Sequence, residues 1–341
     1  MGAAVNESNA PRVAADWYAL HIHLSEPVLA ARFVSEWVQP RVRAMQEAGR
    51  IGGWFYLNYW DGGPHLRVRV RGLDALGREQ WLAEVRGAVA DWRAPTPPTR
   101  ESFYGAHGFD GQPVDVAKLE WFDEGTVRVV DYEPEYQRYG GPQALVLAEQ
   151  MFEQTSTLSC ALLRASATRL SLRLAQALKL MPLYARALHG DDLGAARRFF
   201  ADYATFWAAY SAGTRALADL LGQSAVRAVP TEQLLVSLGA APGELDSVSA
   251  RLLEALQRHV AGLRRLHAEG QLICPYNGRV IDGHELLQAS LTGILTSQMH
   301  MHNNRLGLVP GQELMLARQV AAAAAAAAGA LAPAAGAELL S

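Results

Sequence analysis

The stretch His65-Leu-Arg-Val-Arg-Val-Arg71 constrains the fold more than any other part of the chain. Apolar and polar residues alternate strictly along it, which is the period of a β-strand. Successive side chains of a strand point to opposite faces, so Leu66, Val68 and Val70 share one face and His65, Arg67, Arg69 and Arg71 the other. The first set demands a core. The second sets three guanidiniums on one short face, where they repel one another unless an anion sits between them. That face is either solvated or an anion-binding surface, and bidentate pairing suits it to a carboxylate or phosphate.

The surrounding sequence supplies the rest of a sheet. Trp54 to Trp60 reads as an aromatic strand, and Asp61-Gly-Gly-Pro64 as the turn that follows it. Trp17 to Leu24 alternates and ends at Ser25-Glu26-Pro27. There Ser25 is the expected N-cap of a helix running to about Gly49, kinked or split at Pro40. Leu76 to Arg93 reads as a helix, Ala94 to Pro98 as a loop and Thr126 to Tyr132 as a short strand, while Arg100 to Gly125 has no clear pattern. The order strand, helix, strand, strand, helix, strand is that of a ferredoxin-like split βαβ fold.

The texture changes after Gly141. Helices are expected over Pro142–Met181 with a break at Pro182, and over Asp191–Gln223, Glu244–Ala268, Glu285–Arg305 and Gln312–Ala328. The expected class is α+β, with an N-terminal ferredoxin-like βαββαβ half packed on a larger all-helical C-terminal half. The divisions are a disordered tail over 1–14, the β-rich half over 15–141, the helical half of the same catalytic module over 142–322 and a flexible Ala-rich tail over 323–341.

Composition excludes several classes. Half of the 341 residues are hydrophobic and 19% are charged, so the chain is not wholly disordered. A net charge of -3 does not suggest a nucleic-acid binder. All of the 31 basic residues except Lys118 and Lys179 are arginine, whose planar fork grips carboxylates. Cys160 and Cys274 are the only cysteines, too few for a disulfide framework or a four-cysteine zinc site. No signal peptide or strongly apolar run long enough for a membrane span is visible, so a cytoplasmic protein is expected. Walker A, GxGxxG, HExxH and GxSxG patterns are absent.

Two further stretches combine reactive side chains. Tyr132-Glu-Pro-Glu135-Tyr-Gln-Arg138-Tyr-Gly-Gly141 sets Glu135 three residues before Arg138. Such a pair is either a local structural salt bridge or a means of fixing an arginine toward a ligand. On a helix, Ser297, His300 and Asn304 line one face. His300 is either a structural hydrogen-bonder or a general base or acid. His302 lies on another face, and His-x-His on a helix is poor chelate spacing, so no metal site is expected.

Together these blocks resemble the lantibiotic-dehydratase C-terminal, or thiopeptide-type bacteriocin biosynthesis, family. Trp54 to Arg69 is similar to its first signature. Tyr132-Glu-Pro-Glu135-x-x-Arg138-Tyr-Gly-Gly resembles its second, and Ser297-x-x-His300-Met-x-x-Asn304-Arg305 its third. The resemblance spans roughly residues 15 to 310, in the family's order. It implies one of two activities on a ribosomal precursor peptide. One is a lyase that removes glutamate from glutamylated Ser or Thr to leave dehydroalanine or dehydrobutyrine. The other is a pyridine synthase that joins two dehydroalanines by a formal aza-[4+2] cycloaddition and expels the leader.

The lyase branch is the one expected here, because its functional set carries onto Arg67, Arg69, Glu135, Arg138 and His300. His65, Ser297, Asn304 and Arg305 are the expected substrate-binding residues, and Arg71 stays outside the core set. No metal or organic cofactor is implied, since esterification has already activated the leaving group. The implied partners are the precursor peptide, leader plus core, and a separate glutamylating enzyme that uses glutamyl-tRNA. Direct nucleic-acid and membrane binding are not expected, and pairing as a homodimer is left open.

Overall fold

The computed structural model describes residues 16–106, 115–166, 169–210 and 231–331. The tail expected over 1–14, the end of the helix expected to reach Gln223 and the last ten residues lie outside them. Four strands form the sheet: β1 (Trp17–Ile22), β2 (Gly53–Tyr59), β3 (His65–Arg71) and β4 (Val127–Val130). Their order is β2-β3-β1-β4 and every neighbouring pair is antiparallel. With helices after β1 and after β3, this is the ferredoxin-like split βαβ arrangement within an α+β fold.

Helix α1 (Pro27–Arg32) starts one residue later than its sequence suggests. Pro27 takes the first helical position, so the residue before it is the cap. The Glu26 carboxylate accepts the Leu29 N–H at 2.6 Å. Ser25 instead donates its backbone N–H to Glu124. Pro40 does not end the helical run. It opens α2 (Gln39–Glu47) after wide π-helical turns over Phe33–Val38, in which the Gln39 N–H reaches back five residues to Val34. A proline has no N–H to give to an i−4 carbonyl, and the wide turns ahead of it absorb that misfit.

One face of the sheet carries Leu20, Ile22, Leu66, Val68 and Val70. They are buried against Phe33, Val34, Val38 and Val42 on one side and Trp81, Val85 and Val89 of α3 (Ala75–Val89) on the other. The Asp74 carboxylate caps α3 by accepting the Gly77 N–H. The stretch that had no pattern forms α4 (Arg100–Ala106) and a tight turn at Val116–Lys118. Buried Tyr104 of α4 fixes the turn before β3, since its hydroxyl accepts the N–H groups of both Gly62 and Gly63 and donates to the Glu120 carbonyl.

The opposite face is covered by α5 (Pro142–Ser166), where Leu145, Ala148 and Phe152 bury Trp17, Phe55 and Tyr139. Compactness divides the described chain into two units. The first comprises the residues up to Gly105, Asp115–Ala165 and Gly262–Arg305, so the change of texture at Gly141 falls inside it. The second comprises Ala106–Val114, Ser166–Ala261 and the residues from Leu306 on. It contains α6 (Leu170–Leu180), α7 (Pro182–His189), α8 (Leu193–Tyr210), α9 (Thr231–Leu238), the start of α10 (Ser247–Ala268) and α12 (Pro310–Leu331). Helix α12 covers the helix expected over Gln312–Ala328 and runs three residues past it, to Leu331, in a stretch rich in alanine, the best helix former. Among the described residues no helix is long and apolar enough to cross a membrane.

Helix α11 (His284–Arg305) in the first unit is bound to the free edge of β2. An edge strand exposes unpaired N–H and C=O groups, and here side chains take them. Asn304 accepts the Asn58 N–H at 2.8 Å and donates to the Asn58 carbonyl at 3.0 Å, as a neighbouring strand would. Ser156 accepts the Tyr56 N–H, and Arg305, 1% exposed, donates to the Tyr56 carbonyl at 2.7 Å and to Thr155. An Arg305→Met change leaves a buried carbonyl unpaired and should lower the unfolding free energy by about 1–3 kcal/mol. Urea denaturation should show this as a lower midpoint with unchanged slope.

Candidate active site

The arginine face of β3 is half-buried. Each guanidinium lies against an aromatic ring of a neighbouring element. Arg67 sits 3.4 Å from the centre of the Tyr59 ring, and Arg69 lies 5.2 Å from Phe55 and 4.5 Å from Tyr132. Arg71, 5.4 Å from Trp17, gives one N–H to the Gly52 carbonyl. Phe55 is the register partner of Arg69 on β2, and Trp17 that of Arg71 on β1. Burial pulls the pKa of both Arg67 and Arg69 down from the usual guanidinium value, yet arginine stays charged in proteins.

Among the described residues neither Arg67 nor Arg69 forms an ion pair with a carboxylate, and the buried Nε of Arg69 has no hydrogen-bond partner. Acidic groups act on them from further away. The Glu135 charge favours the cationic form of both, Asp61 adds to this at Arg67 and Glu149 at Arg69. Buried Glu149 of α5 accepts the Tyr132 hydroxyl at 2.8 Å.

Three histidines stand beside Arg67. The His65 ring lies 4.5 Å from His21, on β1, and 4.8 Å from His23, just past its end. His21 is the register partner of Arg67. Burial, with the nearby arginines, holds His65 down at about 3, His23 at about 4 and His21 at about 2. The sequence reading did not include His21 and His23 in the site. Their signal was the alternation of β1, which puts them on one face, together with the β1–β3 pairing that the ferredoxin order requires.

The second block is folded by its glycines. Gly140 and Gly141 have φ of +92° and +100°, a region that favours glycine. A Cβ on Gly140 would lie 2.8 Å from Leu272, and one on Gly141 2.9 Å from Ile273. Their absence lets the Leu272–Ile281 loop press close, and the Ile273 N–H bonds the Gly140 carbonyl at 2.8 Å. Arg138 is thereby held between two partners, with its Nη1 3.1 Å from Glu135 and its Nε 3.4 Å from the Ser297 hydroxyl of α11. An open groove of about 660 Å³ runs over this cluster, lined by Pro134, Glu135, Arg138, Tyr276, Gly293 and Ser297.

The expected site residues therefore divide. Arg67, Arg69, Glu135, Arg138 and Ser297 fall in one electrostatically connected region. His300 is half-buried one turn beyond Ser297 on α11 and does not line the groove. Asn304 and Arg305, expected to bind substrate, bond the β2 backbone, because the edge strand has no neighbouring strand there. His302 is buried and held at about 3 by desolvation. Tyr139, beside Arg138 in the chain, is an unexpected member. Its buried hydroxyl has no hydrogen-bond partner, and burial, the largest influence, pushes it up to about 12. Among the described residues no three His, Cys, Asp or Glu side chains are grouped to hold a metal.

Residues 17–324 match the family described as lantibiotic biosynthesis dehydratase C-term. The chain belongs to this family. It is thereby placed among proteins of lantibiotic-type peptide modification. Among curated proteins none matches it. Solved structures of similar fold include the pyridine synthase TbtD from thiomuracin biosynthesis, at TM-score 0.68 and 20% identity over 92% of this chain and 99% of that one. TsrL matches at TM-score 0.62 and 18% identity, over 90% and 94%. MibB, a tRNA-dependent lantibiotic dehydratase from Microbispora sp. 107891, matches at TM-score 0.51 and 21% identity, over 93% of this chain but 28% of that one. At these identities the likeness is one of fold.

The histidine stack gives this dehydratase C-terminal chain an acid sensitivity of known sign. Its histidines are neutral when folded and regain an ordinary pKa near 6.5 when unfolded. Unfolding therefore takes up protons below about pH 6.5, and stability falls as the pH drops from there toward about 4. The slope is at most about 1.4 kcal/mol per pH unit for each histidine. Glu149 and Glu153, raised by burial, act in the opposite sense just above their ordinary 4.5. Urea unfolding at neutral and mildly acidic pH should show the net loss. His23→Phe should flatten it, since neither nitrogen of His23 has a partner to lose.

Proposed function

We propose that the chain is a lyase that eliminates glutamate from glutamylated Ser or Thr of a precursor peptide. The observation that carries this reading is the pair Arg67 and Arg69. Two desolvated cations stand side by side with no carboxylate paired to them. A glutamyl ester brings a free γ-carboxylate to such a seat, and its ester carboxyl departs as a second carboxylate.

In the elimination a base takes the α-proton of the modified residue, the Cα–Cβ double bond forms, and the Cβ–O bond breaks with its electron pair going to the leaving carboxylate. Arg67 and Arg69 hold the γ-carboxylate. Arg138, oriented by Glu135 and Ser297, faces the carboxylate that leaves. Donors placed in advance for developing charge are each worth roughly 10²–10³ in rate. His300 is the candidate base or proton shuttle, and the groove beside Arg138 receives the peptide. A glutamylating activity that draws on glutamyl-tRNA supplies the substrate. The tRNA-dependent character of MibB is in keeping with that source.

A second reading has one specific observation in its favour. The pyridine synthase TbtD shares the fold over nearly its whole length. A peptide bearing two dehydroalanines would then occupy the groove, with hydroxyls such as those of Tyr276 and Ser297 promoting the tautomer that cyclises.

Mass spectrometry separates the two. On a glutamylated precursor peptide the protein should release free glutamate and leave residues lighter than Ser or Thr by one water. Arg69→Ala and Arg138→Ala should slow this by roughly 10²–10³. If the ester persists while a peptide with two dehydroalanines is cyclised and loses its leader, the second reading stands instead.

A further inference from the structure

His65 is held by two contacts that make opposite demands on its ring. Nδ1 lies 2.8 Å from the carbonyl oxygen of Gly63, which only accepts, so Nδ1 carries the hydrogen. Nε2 lies 3.2 Å from Nε of Arg67, which only donates, so Nε2 is bare. The two contacts together specify one neutral tautomer.

The supports of this ring are themselves fixed. The Gly63 N–H bonds Trp60 and the Tyr104 hydroxyl, both at 3.1 Å, and a Cβ on Gly63 would come within 3.2 Å of the Trp121 ring. His21 and His23 lie 4.5 and 4.8 Å from the ring, tilted by 30° and 35°, so its plane is held as well as its ends. A rigid path therefore leads from Tyr104 through the Gly62–Gly63 turn and His65 to Arg67. The Tyr59 ring closes over the guanidinium at 3.4 Å. With Nε engaged by His65 and Tyr59 against the guanidinium, Arg67 presents its terminal fork end-on to a carboxylate.

We propose that His65 is a positioning residue: it holds the Arg67 guanidinium so that the terminal fork faces the substrate carboxylate, and it neither touches the substrate nor exchanges a proton. This departs from the substrate-binding role expected from the sequence. It rests on the reading that Arg67 binds the glutamyl group.

Three variants and one spectrum test it. Glutamine can place an oxygen where Nε2 stands, asparagine reaches only the Gly63 contact, and phenylalanine keeps the stack but makes neither bond. With a glutamylated precursor peptide as substrate, His65→Asn and His65→Phe should lose about 10²-fold in kcat/KM, chiefly through a raised KM, as a guanidinium displaced by about an ångström would. His65→Gln should stay within about threefold of the wild type, with the same pH profile. Wild-type rates in His65→Asn overturn the proposal. So does a loss in His65→Gln as large as in His65→Phe together with an altered pH profile, which would make His65 a proton carrier.

Nitrogen-15 NMR of the wild-type histidine rings decides the tautomer without any substrate. His65 should show a protonated Nδ1 and a bare Nε2 from about pH 8 to about pH 5, and the Arg67 Nε–H resonance should shift in His65→Phe. A ring protonated on Nε2, or one that titrates near pH 6.5 like a free histidine, overturns the proposal. If the wild type releases no glutamate, the reading of the reaction fails, and the spectrum still judges His65.

Discussion

Strand β3 lies inside the sheet, buried on one face and half-buried on the other, yet every second residue of it is charged or a histidine. The neighbouring elements are arranged around that conflict. A guanidinium taken from water must find compensation, and here the compensation is aromatic. Tyr59, Phe55, Tyr132 and Trp17 each lie against one arginine of the strand. An aromatic face attracts a cation without satisfying its hydrogen bonds, so Arg67 and Arg69 stay able to grip an anion. Paired carboxylates would have neutralised the same arginines and removed that capacity.

The same burial explains the histidines. Beside a row of fixed cations a protonated imidazole is doubly disfavoured, by lost solvation and by repulsion. His21, His23 and His65 therefore serve as neutral, flat polar groups. In His65 neutrality has a further consequence, because only an unprotonated nitrogen can accept from Arg67.

Helix α11 joins the second half of the site to this sheet. Asn304 and Arg305 replace a missing strand at the edge of β2, and the helix can take no other register without breaking those bonds. Two turns earlier the same helix presents Ser297 to Arg138, whose other partner Glu135 comes from the loop shaped by Gly140 and Gly141. Residues that fix the helix to the sheet edge thus also set the position of Ser297 beside Arg138.

The sequence by itself determined the strand alternation, the ferredoxin order and the three blocks, because each depends on short-range periodicity or turn chemistry. The period of two in His65–Arg71 marked the core face and the arginine face before any contact was known. Spacing alone also marked the Glu135–Arg138 pair. Only the tertiary structure decided what covers the arginine face, since Phe55, Trp17 and Tyr132 reach it from other strands and a loop. It also decided that Asn304 and Arg305 bond a strand edge, that Glu26 rather than Ser25 caps the first helix, and that His21 and His23 stand beside His65. Helical spacing tells which residues share a face, but not what that face meets. That depends on contacts between residues far apart in the chain, such as the 246 positions separating Asn58 from Asn304.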